Sequence, residues 1–169
     1  LNLVSIGRYD ESFTPIIENF KASYTFIDSK NESLWFLTNE NAPNGKVVRL
    51  DFGDLNAGFK DIISESDLPI RDVDMINQKL IVHYLEDTFS NIKYFSEEGI
   101  ENGSLQTILP GTISGLSGKK DDVEVFYSFT NFKQPSQIYK LNLSNNVQEL
   151  YWEEKLENFK SENYVSDMV

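Results

Sequence analysis

Three times in 169 residues the chain sets down an apolar strand, a short polar break and a second apolar strand, with starts about 45 residues apart. The first unit runs Leu34–Thr38, "NENAPNG", Lys46–Phe52. The second runs Leu80–Glu86, "DTFS", Asn91–Ser96, and the third Val125–Thr130, "NFKQPSQ", Ile138–Leu143. Each pair then meets a turn signal: "GDLNAG", "EEGIENG" or "SNN". Shorter strands, "FKDII", "VDMI", "LQTIL", "TISGLS" and "VQELYW", fill the spaces and bring the tally to about four strands per period. A four-stranded antiparallel sheet repeated every 40 to 50 residues, roughly, is the pattern of a β-propeller blade.

Period two dominates throughout. In "KVVRLDF" the positions Val48, Leu50 and Phe52 alternate with Val47, Arg49 and Asp51; in "QIYKLNL" Tyr139, Leu141 and Leu143 alternate with Ile138, Lys140 and Asn142. "LIVHYLE" and "VFYSFT" are apolar on both faces, as befits strands buried between two layers. "YWEEKLENFK" has room for a turn or two of helix but no strong cap. The chain therefore reads as all-β. A β-sandwich also spaces its strands regularly, but it leaves one face of most strands polar, which the middle strands here do not. The reading is a partial β-propeller of about three four-stranded antiparallel blades, over residues 21–66, 70–110 and 111–152. Residues 1–20, with "LVSI" and "FTPIIENF", supply the end of a preceding blade; "ASYTFID" opens the first full one; 153–169 form a linker. Three blades do not close a ring, which takes about four to eight. A larger propeller is expected, with two apolar blade faces left open in this piece.

Composition narrows the partners. Fifteen basic and 27 acidic residues give a net charge of −12. Such a surface repels phosphate backbones and anionic lipid, so neither nucleic acid nor membrane is expected as a partner. No apolar run approaches the roughly 20 residues of a membrane helix, and Leu1–Tyr9 lack the basic start and apolar stretch of a signal peptide. A soluble protein of the cytoplasm or periplasm is expected. The absence of cysteine removes disulfides, thiolate nucleophiles and Cys-based zinc sites together.

Little in the sequence carries catalysis. His83, the only histidine, lies inside the strand "LIVHYLE", where a packed, hydrogen-bonded residue is the simpler reading than a triad base. The nucleophile elbow G-x-S-x-G does not occur; "GTISGLSG" comes near, with Ser114 and Ser117 misplaced relative to the glycines. Asp121–Asp122 and Glu153–Glu154 are neighbours, which point to opposite faces of a strand, so they read as solvated charges rather than a glycosidase pair. "DFGDLNAGFKD" lacks the ligand spacing of a calcium loop, and phosphate-cradling glycine loops are absent. The sequons at Asn31, Asn102 and Asn142 are short, common patterns given no weight. No catalytic, cofactor-binding or metal-binding residue is assigned.

"FTPIIENF" (13–20), "FLTNENAP" (36–43) and above all "SGLSGKKDDVEVFYSFTNFKQPSQIYKL" (114–141) resemble the propeller domain of prolyl oligopeptidases. The last segment matches that family's order of a Ser-Gly turn, an acidic dipeptide, F-Y-x-F-T and a Pro-containing hairpin ending in I-Y. The resemblance covers nearly the whole chain and implies the last three or so blades of a seven-bladed propeller. It further implies that the propeller caps an α/β-hydrolase domain of the same parent chain carrying a Ser-Asp-His triad. The cap acts as a filter that admits short proline-containing peptides, which are cleaved after proline. Hydrolase sequence is expected soon after "NYVSDMV", so no triad position falls in these residues and the fragment alone is expected to be inactive. The family also has an arginine-bearing propeller loop that reaches the substrate. "LVSIGRYDES" contains Arg8, but the strand expected before "FTPIIENF" is missing or shortened, and the role is not carried over. Within this reading Pro135 belongs to a hairpin turn at a blade end. Two other readings compete: a standalone propeller binding protein or carbohydrate through its loops, and a propeller glycosidase using two carboxylates.

Overall fold

The computed structural model describes residues 2–3, 14–17, 21–107 and 110–154. Arg8, most of "LVSI", half of "FTPIIENF", the helical turn expected within "YWEEKLENFK" beyond Glu154 and the linker through Val169 lie outside the described residues. The chain divides into two compact units, Leu1–Glu65 and Ser66–Val169.

In the first unit β1 (Asn2–Leu3) and β2 (Thr14–Pro15) form a short antiparallel pair. A four-stranded antiparallel sheet follows in chain order: β3 (Tyr24–Lys30), β4 (Ser33–Thr38), β5 (Lys46–Asp51) and β6 (Lys60–Ile63). Phe36 is fully buried with Leu34 and Val48, and Tyr24 and Phe59 close over them, their rings 6.4 and 5.7 Å from that of Phe36, edge to face. Trp35 and Val47 on the opposite side of the sheet are buried as well. The sequence pattern placed Phe52 in the second strand; instead the strand stops at Asp51, and Phe52–Ala57 form a 3₁₀ stretch with Phe52 exposed.

The second unit holds two further antiparallel sheets, again ordered as in the chain. One comprises β7 (Ile70–Ile76), β8 (Lys79–Glu86), β9 (Phe89–Ser96) and β10 (Glu101–Leu105); the other β11 (Thr112–Ser117), β12 (Glu124–Asn131), β13 (Gln134–Asn142) and β14 (Val147–Glu153). Their facing sides share one core: Ile76, Ile81, Ile92, Tyr94 and Leu105 meet Ile113, Val125, Tyr127, Phe129, Leu141 and Leu143. Each fully buried aliphatic side chain here is worth about 1.5–3 kcal/mol. These sheets have the size, strand order and stacking of propeller blades.

Turn chemistry explains where the sequence reading misplaced strands. The β8–β9 connection is only Asp87–Thr88, both in the left-handed region at φ 47° and 75°, so Glu86 already pairs with Phe89. Asn31–Glu32 and Asn77–Gln78 are built the same way, as the twist of tight hairpins requires. In "NFKQPSQ" only Phe132 and Lys133 turn, and Asn131 pairs with Gln134. Pro135 is thus a strand residue rather than a turn residue. It sits where the β12–β13 register shifts, and such a bulge frees it from donating to the ladder. "EEGIENG" likewise hides the start of β10, and of the described part of "LQTIL", residues 105–107, only Leu105 belongs to a strand. Gly103 lies at a bulge over the Tyr94 ring, where an added Cβ would come within 3.2 Å of the ring, so it marks a close approach and not a break.

Candidate functional site: the cleft between two blades

His83 faces the third sheet from the middle of β8. Its Nε2 lies 2.8 Å from Oγ of Ser90 on β9. That oxygen accepts the backbone N–H of Ile113 on β11 at 2.8 Å, while the Ser90 N–H donates to the Gly111 carbonyl at 2.9 Å. One histidine–serine pair therefore ties two sheets together. Beside it a cavity of about 110 Å³ is lined by Arg71, Asp72 and Asp74 of β7, by His83, and by Ser114 and Gly115 of β11. Burial and the nearby Arg71 cation lower the His83 pKa from its usual value, opposed in part by Asp72. Burial, and then the Asp72 charge, raise that of Asp74.

This is not the geometry of an acyl-transfer triad. A triad base needs a carboxylate on its second nitrogen, and among the described residues no carboxylate hydrogen-bonds to His83. Ser90 has its oxygen engaged by an amide N–H rather than free for attack. Ser114 pairs with Ser128 within the ladder, and Ser117 follows a bulge at Gly115, whose φ is 66°; neither stands on a strand-to-helix elbow. Asp122 accepts from the Lys119 N–H at 2.7 Å in a surface turn, and Glu153 ends β14 opposite Gln137. Sequence reasoning singled out His83 but missed Ser90, because "DTFS" reads as a polar break. The two-residue turn puts Ser90 opposite Leu85 and so on the His83 face.

Further polar ties rim the same interface. Lys79 Nζ donates to the Leu143 carbonyl at 2.7 Å, and the Asn77 N–H to the Lys120 carbonyl at 2.9 Å. At the outer strands Asn146 donates to the Ser104 carbonyl and Gln148 to that of Gln106, at 3.0 and 2.9 Å. Gln148 also accepts from the Tyr127 hydroxyl, whose pKa burial pushes up to about 12; that ring stacks on Tyr139 with centroids 5.4 Å apart. Tyr127, Tyr139, Gln106 and Gln148 line a second hollow of about 250 Å³. An apolar centre with a hydrogen-bonded edge makes a joint that resists opening.

The sequence matches the profile of the family described as prolyl oligopeptidase, N-terminal β-propeller domain, over residues 3–154. The chain belongs to that family. It is 32% identical to the prolyl endopeptidase of Elizabethkingia miricola over 93% of its own length and 22% of the relative's. The prolyl endopeptidase of Dictyostelium discoideum is 29% identical over 91% of this chain and 22% of that one. The chain spans about a fifth of the length of these relatives. A solved prolyl endopeptidase superposes with a TM-score of 0.78 at 28% identity, over 85% of this chain and 22% of that one. The fold also matches prolyl oligopeptidase B of Galerina marginata, with a TM-score of 0.82 at 18% identity, covering 92% and 23% of the two chains. Among the described residues no helix is long and apolar enough to cross a membrane.

Proposed function

We propose that these residues form a non-catalytic, gating portion of a serine peptidase that cleaves short peptides after proline. Membership of the prolyl oligopeptidase propeller family carries the reading. The catalytic serine, aspartate and histidine belong, on this proposal, to an α/β-hydrolase domain of the same parent chain, reached through the linker 153–169. The blades 21–66, 70–110 and 111–152 then restrict access by staying closed. Two features support a mechanical part: the apolar core shared by the second and third sheets, and the hydrogen bonds at its rim. The unsuitability of the His83–Ser90 pair for acyl transfer supports a non-catalytic one. Substrates are short proline-containing peptides; no metal or cofactor takes part.

The test is cleavage of a chromogenic Gly-Pro peptide by the 169 residues alone and by the longer protein that includes the hydrolase domain. Turnover only by the longer protein is expected, with a folded protein substrate left intact. Turnover by the 169 residues alone would overturn the non-catalytic assignment. Equal cleavage of peptide and folded protein by the longer chain would remove the gating role, and inactivity of both would favour a propeller that only binds.

A further inference from the structure

The hydrogen-bond count at Ser90 has a direction built into it. A serine hydroxyl carries one proton and can accept two bonds. Here the oxygen accepts the Ile113 N–H at 2.8 Å, and among the described residues the acceptors near its own proton are His83 Nε2 at 2.8 Å and the Ile113 carbonyl at 3.5 Å. The longer contact is at the limit of a hydrogen bond, so the proton goes to His83. His83 must then be neutral, with its own proton on Nδ1. A protonated imidazole reverses the arrangement: Nε2 becomes a donor, and the Ser90 proton is left with the distant carbonyl. The charge would also arise in a half-buried position with Arg71 beside it.

We propose that the His83–Ser90–Ile113 clasp is a pH-sensitive joint, fastening the second sheet to the third while His83 is neutral and loosening it when His83 is protonated. The charged groups facing His83 are Arg71, Asp72 and Asp74, all on β7; the part of β11 lining the cleft contributes Ser114, Gly115 and Leu116, and β9 contributes Ser90 and Ile92, none of them ionisable. Burial first and then the Arg71 cation oppose the imidazolium, and the Asp72 charge favours it in part. With a folded pKa below the unfolded value near 6.5, the unfolded or opened state binds the extra proton first. The joint is therefore at full strength above pH 6.5 and weakens as pH falls from there toward the lower folded value.

The experiment is hydrogen exchange of the full-length protein, followed by mass spectrometry between pH 7.5 and 5 and corrected for intrinsic rates. Protection of the segment Thr112–Ser117 is expected to drop by about threefold or more at the acid end. Protection of Ser33–Thr38, in the first unit, should not change with it. His83→Gln, which keeps an acceptor but cannot titrate, should flatten the profile, and Ser90→Ala should lower protection at every pH. The same acid-side drop in His83→Gln as in the native protein would overturn the proposal, as would a flat native profile. If His83→Gln does not fold, NMR titration of His83 in the native protein decides: a pKa below 6.5 supports the joint, and one above it overturns it.

Discussion

The sheets β7–β10 and β11–β14 share one core, yet their outer faces differ. In β8 three successive residues, Leu80, Ile81 and Val82, are all buried, so both faces of that strand are covered. In β12 burial alternates: Val125, Tyr127 and Phe129 are buried while Phe126 between them is 44% exposed. On that open face Phe126 meets Tyr151 at 5.0 Å between ring centroids, and Trp152 is exposed near them. Lys140 crosses the same face, paired with Glu124 and Glu149 at 3.2 and 3.5 Å. The blade motif thus tolerates two surroundings without changing strand order. The face toward the shared core is apolar in both sheets, whereas the far face carries buried Leu80 and Val82 in β8 and exposed aromatic groups, Phe126, Tyr151 and Trp152, in β11–β14.

The strongest way to break this comparison is to truncate one side chain on each sheet. Leu80→Ala removes a fully buried group and should cost about 2–5 kcal/mol in denaturant unfolding. Phe126→Ala, taken from the open face, should cost less than about 1 kcal/mol. Equal losses would mean that something covers the outer face of β11–β14 in the protein as studied.

A somewhat smaller effect is expected at the seam. Gly111 approaches Phe129 so closely that an added Cβ would lie 2.6 Å from its ring and from the Thr130 carbonyl. Gly111→Ala should therefore destabilise by about 1–3 kcal/mol, whereas Gly53→Ala, with open space around it, should change little. A neutral Gly111→Ala would show that the entry to β11 can move aside, and that the two sheets are joined less tightly than their shared core implies.

Much of this architecture was legible in the sequence, and the failures have a common cause. Short apolar runs located the central strands β4 and β8, because burial on both faces writes itself directly into such runs. "VFYSFT" looks equally apolar, but one of its faces is open, since composition records what a face is made of and not what covers it. Turn boundaries failed for a different reason. Glycine and proline were read as breaks, whereas Gly103 and Pro135 sit at bulges inside strands. The His83 clasp was half visible: a lone strand histidine suggests a hydrogen-bonded residue, but its partner Ser90 depends on hairpin register, and Ile113 on the packing of two sheets.

The smallest expected effects compare carboxylates in the two units. Asp51 accepts from the Ser33 hydroxyl and from Arg49 Nη2 at 3.0 Å, and these bonds lower its pKa below 3.8, with the Arg49 charge (Nε at 2.9 Å) adding to them. Its contribution to stability is present above pH 3.8 and is lost as pH falls through the lower folded value. Because the side chain is 42% exposed, water screens the pair and the effect is small. Asp74 is the reverse. Burial and Asp72 raise its pKa, so the folded state holds its proton longer, and stability declines as pH rises from 3.8 through the raised value. At pH 7 Asp51→Asn should therefore lower the unfolding midpoint slightly, and Asp74→Asn should raise it slightly. Below pH 3.5 the Asp74→Asn gain should vanish, because the native carboxyl is then protonated and neutral like the amide. A gain that persisted in acid would place its origin in packing or hydrogen bonding, and the cleft beside His83 would then owe less to charge than its residues imply.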